Sequence, residues 1–149
     1  MEEEAIVERA VSRFREGYLC SESILLTFAE AFGIKCWQIP KIATGFGGGI
    51  GRAGCVCGAL TGAIMALGLK YGRRTLNETE AYEKCLKKSL ELYKKFEEEF
   101  GSVFCRDLTQ CNLTTTEGRQ KFKEQQIRET KCTKYVETSM RALLNMIDK

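Results

Sequence analysis

Histidine is missing from this chain altogether, and proline and tryptophan occur once each among its 149 residues. Without histidine the sequence lacks the side chain that most often moves protons at neutral pH and most often ligates metals. Hydrolysis by acid–base chemistry would need a carboxylate pair instead, and the Asp and Glu residues fall mostly on predicted solvent faces. Arg106 and Asp107, beside Cys105, are the exceptions. An excess of either charge is also lacking. Basic and acidic residues are interspersed, 23 against 20, and leave no footprint for nucleic acid. The longest nearly apolar run, Cys55 to Leu69, is too short to span a bilayer, so no membrane insertion is expected. The opening MEEEAIVERA is acidic where a secretory signal would be basic and then apolar. The expected location is therefore the cytoplasm, where the eight cysteines read as thiols or metal ligands before they read as disulfides.

What is present is helical periodicity almost throughout. A chain of this length buries roughly 70% of its unfolded surface and needs no cross-links to fold. The expected architecture is all-α: one domain, 1–149, a compact bundle of about six or seven helices with a glycine-rich loop leading into a buried central helix. Ile6, Val7, Ala10, Val11 and Phe14 make the stripe of a first helix ending near Gly17. A second is predicted from Ser21 to Phe32 with Gly33 as its stop, and a short third from Trp37 to Thr44 with Pro40 in its first turn. Residues 55–71 are apolar nearly all round. Gly54, Gly58, Gly62 and Ala66 repeat every fourth position there, a face with no bulky side chain that predicts a tight helix crossing. A long helix is predicted from Asn77 to Phe100 with Tyr82, Cys85, Leu86, Ser89, Tyr93, Phe96 and Phe100 inward. A short turn or helix near Ser102 follows, then helices over Glu117–Arg128 and Lys131–Met146.

Five cysteines stand where these helices are expected to begin: Cys20, Cys55, Cys57, Cys105 and Cys132. A helix start presents unpaired N–H groups and a partial positive charge, which favour thiolate. Cys20, Cys57, Cys105 and Cys132 are the candidate site. They are far apart in sequence, so tertiary folding would have to assemble them, and four unrelated buried thiols is the plain alternative. Cys55 is an accessory thiol, Cys111 a spare ligand or resolving thiol, Cys85 a core residue, and Cys36 has no placement argument. The glycines from Gly45 to Gly54 lack the Gly-Lys-Ser/Thr ending of a phosphate loop; the favoured use of the loop's N–H groups is to cradle thiolate or sulfide sulfur.

The stretch Gly54-Cys55-Val56-Cys57-Gly58-Ala59-Leu60-Thr61-Gly62-Ala63 resembles the signature of the C_GCAxxG_C_C family of redox proteins. In that family a lone upstream cysteine precedes a Cys-Gly-Ala-x-x-Gly motif and two further cysteines. Here Cys20, the motif Cys57 to Gly62, Cys105 and Cys132 take those places. The resemblance implies a small helical protein with a redox role, through an iron–sulfur centre or a reactive set of cysteines. A similar module is attached to a multihaem cytochrome, but this chain has no CxxCH and so no haem attachment site.

Three functions follow. In the leading one Cys20, Cys57, Cys105 and Cys132 ligate a [2Fe–2S] or [4Fe–4S] cluster that passes electrons to a redox partner protein. In the second the protein is a thiol–disulfide enzyme or sensor, with Cys57 as a low-pKa nucleophile and Cys55, Cys20 or Cys105 resolving it. In the third the same cysteines hold a structural zinc ion.

Overall fold

The computed structural model describes residues 2–148, and the protein is all-α. α1 (Glu3–Glu16) carries Glu3 and Glu4 in its first turn and Arg13 and Arg15 in its last, matching the helix dipole, and Gly17 closes it at φ 122°. α2 (Cys20–Ala31) follows after two extended residues. A 3₁₀ turn, Lys41–Phe46, leads through the glycine-rich loop to α3 (Gly58–Tyr71). α4 (Thr79–Phe100), α5 (Cys105–Thr109) and α6 (Thr116–Glu124) come next. A π-helical turn, Arg128–Cys132, runs without a break into α7 (Thr133–Met146).

α3 is the central helix. It packs against α2, α4 and α7, while α1 lies across α2 and α7. Its Ala59, Leu60, Ala63, Ala66 and Leu67 are fully buried, and they join Ile24, Leu25, Phe28, Leu92, Val136, Met140 and Leu143 in one contiguous apolar cluster. The glycine face does what its spacing predicts. A Cβ at Gly62 would stand 2.8 Å from the Ser21 carbonyl oxygen and 2.9 Å from Ser21 Cα, and one at Gly58 would stand 3.3 Å from Cys20 Cβ. Backbone therefore lies against backbone where the first turns of α2 and α3 cross. The same end of α2 is pinned from two other sides. Glu22 accepts hydrogen bonds from the Leu19 N–H (2.9 Å) and the Thr44 hydroxyl (2.6 Å), and the Ser21 hydroxyl donates to the Ala43 carbonyl (2.8 Å). Between α1 and α2, the buried Arg13 guanidinium donates to Thr27 and Glu30.

The structure differs from the sequence reading at several places. The predicted helix 37–44 is a set of turns followed by the 3₁₀ segment; its apolar residues do not share one face, since Ala43 is fully buried while Trp37 is 78% and Ile42 60% exposed. The predicted inner face of α4 holds only in its C-terminal part. Leu92 and Phe96 are buried, whereas Tyr82 and Leu86 are exposed and Cys85 is half-buried outside the core. At 1.5 Å per residue, the 22-residue α4 overshoots the 14-residue α3 it lies on by about 12 Å. The sixth helix stops at Glu124, four residues early, where Gln126 adopts a positive φ of 52°.

Two alanine substitutions on α3 separate close approach from helix propensity. Gly62→Ala forces Ser21 backbone to move and is expected to destabilise by roughly 1–3 kcal/mol, the usual cost of overpacking. Gly68→Ala meets nothing within 4 Å and is expected to stabilise by about 0.5–1 kcal/mol. Thermal denaturation of the two variants beside the parent checks both signs.

Candidate functional site

The four cysteines singled out by the sequence come from four different elements and line one cavity of about 500 Å³. Cys20 is the first residue of α2, Cys57 the N-cap of α3, and Cys105 the first residue of α5. Cys132 departs from expectation: the π turn already carries the chain in helical geometry, so it borders no open helix start. Cys55 departs too. It lies in an extended segment before α3, where Val56 bridges antiparallel to Phe104. That bridge fixes Cys105 against Cys57: Cys57 N–H donates to Val103 C=O (2.8 Å), Cys105 N–H to Cys55 C=O (2.8 Å), and Arg106 N–H to Gly54 C=O (3.1 Å).

The glycine-rich loop forms one wall. From Gly48 to Arg52 five consecutive residues have φ between 56° and 72°, a left-handed turn that L-residues seldom take in succession. Ile50 and Arg52 adopt it without being glycine, a strain of order 1–3 kcal/mol each, of the kind that collects at functional sites. Gly49 has no alternative, since a Cβ there would stand 2.5 Å from the Cys55 carbonyl oxygen and 2.8 Å from Cys105 Cβ. The expected cradle of free N–H groups is largely absent. Each N–H from Ile50 to Cys55 donates to a carbonyl within the loop segment, so the loop shapes the wall more than it supplies donors.

Electrostatics inside the cavity run against the activated-thiolate expectation. Burial, followed by the repulsion of Cys132 and Cys105, drives the Cys20 thiol far above its ordinary value. Burial and then Cys20 do the same to Cys57, against the opposing pull of the Ala59 and Leu60 N–H groups at the start of α3. Cys132 is pushed up to about 12 by burial and then by Cys57 and Cys105, with Arg128 opposing, and burial also raises Cys105. Desolvation thus outweighs the helix-start effect at Cys20, Cys57 and Cys105, and at Cys132 it acts with no open helix start to oppose it.

The remaining sequence candidates fall outside. Cys111 is buried next to the cavity without lining it, its thiol pointing to the Thr109 carbonyl at 3.4 Å. Cys36 faces Gln38 at 2.9 Å, and all eight cysteines are free thiols. Arg106 is exposed over the Phe104 ring, and Asp107 accepts from Ser102 Oγ at 2.8 Å. The cations that do line the cavity are Arg52, Arg119 and Arg128. Arg128 lies over the Phe14 ring at 3.7 Å and donates to the Phe14 and Tyr18 carbonyls. No local pattern distinguishes Arg119 or Arg128 from surface arginines; Arg52, inside the glycine run, was the one with a signal. Beneath the sulfurs Tyr135 is buried, its hydroxyl donating to the Leu108 carbonyl at 3.1 Å.

The donor set fits a thiolate-held centre: four sulfurs from four elements, with no carboxylate among the lining residues. Among the described residues, no three or more Cys, Asp or Glu side chains are already gathered closely enough to hold a metal ion. Fold and site together define a small all-helical protein built around a cysteine-lined cavity. The family described as "Putative redox-active protein (C_GCAxxG_C_C)" matches residues 18–146, and the chain belongs to it. An uncharacterized protein of Archaeoglobus fulgidus is 34% identical over 131 residues, covering 83% of this chain and 87% of its own. No solved structure matches. Among the described residues no helix is long and apolar enough to cross a membrane.

Alkylation of the metal-free, reduced protein tests the electrostatics. The rates at Cys20, Cys57 and Cys132 are expected to be still rising at pH ~9, above the ordinary thiol value of about 8.5. A rate at any of the three that levels off below about pH 7.5 would show the activated thiolate that this cavity disfavours.

Proposed function

We propose that the protein is an electron carrier in which Cys20, Cys57, Cys105 and Cys132 hold an iron–sulfur centre for exchange with a partner protein. The observation that carries this reading is the meeting of these four cysteines, scattered over the chain, around one cavity. When bound, such a centre supplies one-electron chemistry at a potential set by charge, hydrogen bonding and exposure. The chain's own part is to hold it. Cys57 and Cys132 are buried residues and Cys20 and Cys105 half-buried ones, with the Cys20 sulfur itself desolvated, so that Cys105 offers the more open approach for an electron. Phe14, Leu113 and Phe122 limit water around the sulfurs, and Arg128, fixed by two carbonyls and an aromatic face, balances thiolate charge.

Two observations favour this over the other readings. Thiols raised by burial make poor nucleophiles for disulfide exchange at neutral pH. A single zinc ion needs four sulfurs at about 2.3 Å from one point. A centre of several irons and sulfides keeps its thiolates farther apart, which suits a cavity of about 500 Å³.

Single Cys→Ala variants, reconstituted anaerobically with iron and sulfide, test the ligand set. Loss of most visible charge-transfer absorption and bound iron is expected for Cys20, Cys57, Cys105 and Cys132, with helical circular dichroism retained. Cys36→Ala and Cys55→Ala are expected to load like the parent. Full iron content in Cys57→Ala or Cys132→Ala would remove the proposed ligation.

A further inference from the structure

The cavity is lined by three arginines, Arg52, Arg119 and Arg128, and by no aspartate or glutamate. Glu22, whose partners Leu19 and Thr44 line the cavity, is engaged by the Leu19 N–H and the Thr44 hydroxyl. Arg119 donates to the Leu113 carbonyl (2.8 Å) and Arg128 to the Phe14 and Tyr18 carbonyls, partners that orient both guanidinium groups without cancelling their charge. Arg52 makes no side-chain hydrogen bond or ion pair among the described residues, and it is carried on strained backbone at φ 68°. Such strain is kept where surrounding structure enforces a particular aim. Apart from these cations the lining is dominated by Phe14, Leu19, Leu113, Phe122 and the neutral thiols. The volume, about 500 Å³, falls in the range of small-molecule pockets, whose usual make-up is apolar walls with a few placed polar groups.

We infer that the cavity binds a small organic anion, a carboxylate or sulfonate with an apolar body, with Arg52 and Arg119 receiving the charged end beside the cysteines. This rests on the reading of the cavity as the working site. It does not need the metal to be present, because the arginines and the apolar wall belong to the chain itself. The guanidinium forks suit a two-oxygen acceptor, and Phe14 and Phe122 give its body a surface that a bare inorganic ion cannot use. Arg52, the cation without a partner in the protein, is the group that discriminates charge at the mouth.

The test uses the full chain, ¹⁵N-labelled, metal-free and reduced, titrated with sodium benzoate, with benzamide as the neutral match and sodium sulfate as the anion without an apolar body. Benzoate is expected to shift the amide signals of Cys20, Gly48 and Gly51 saturably, with benzamide and sulfate at least about tenfold weaker. Arg52→Gln, which breaks no side-chain hydrogen bond or ion pair among the described residues, is expected to weaken benzoate roughly tenfold or more, the scale of one charge-assisted hydrogen bond. Arg141→Gln, at the remote Glu4 and Glu137 pair, is expected to leave it unchanged. Benzamide binding as well as benzoate, or Arg52→Gln binding like the parent, overturns the inference. Iron and sulfide loading of Arg52→Gln is read alongside. Loading retained with benzoate binding lost supports a ligand role, whereas loading lost with benzoate binding intact assigns the arginine to the metal centre and overturns it. Failure of the Cys→Ala series would leave the benzoate result standing, so the two readings fail separately.

Discussion

Backbone contact between the first turns of α2 and α3 is the constraint on which the cysteine cavity depends. Cys20 and Cys57 stand at the adjoining ends of these helices, and only glycine at 58 and 62 lets the ends come this close. Glycine inside a helix costs about 0.5–1 kcal/mol relative to alanine, so the crossing must return at least that much in packing. The fully buried side chains of Ile24, Leu25, Phe28, Leu60 and Leu67 between the two helices are where it does so. The other two cysteines are set relative to this crossing by separate devices: the Val56–Phe104 bridge for Cys105, and the continuous helical run from Arg128 for Cys132.

Two opposing effects meet at the sulfurs, and their sizes decide the chemistry. Helix-start N–H groups favour thiolate by a modest amount, while burial among apolar side chains and other cysteines favours the neutral thiol by more. The consequence is a cavity whose thiols are biased toward the neutral form. The left-handed turn at Gly48–Arg52, held by hydrogen bonds within the loop, carries an arginine to the cavity wall.

Much of this was legible in the sequence. The small-residue face of α3 implied a close crossing because the absence of side chains has a direct steric meaning. Cys20, Cys57 and Cys105 were placed at helix starts by ordinary start signals. What escaped was tertiary. The apolar stripe of α4 gives no hint of where its partner helix ends, so Tyr82 and Leu86 read as core although they are exposed. A π turn leaves no signature of residue type, so Cys132 read as a helix start. The pKa expectation failed for a related reason: position at a helix start is local, whereas desolvation depends on what the rest of the chain lays over the sulfur. Arg119 and Arg128 reach the cavity from α6 and the π turn, and Arg106, adjacent in sequence to a candidate ligand, points away.

The chain belongs to a family described as "Putative redox-active protein", and the central proposal is that its four converging cysteines hold an iron–sulfur centre. Its most direct measurement is iron and acid-labile sulfide analysis of the unmutated protein, purified without oxygen, with electron paramagnetic resonance before and after dithionite. Iron and sulfide in near-equal amounts and a signal that changes on one-electron reduction are the expected result. Protein that stays colourless and iron-free after reconstitution, or that retains only zinc, would contradict the claim.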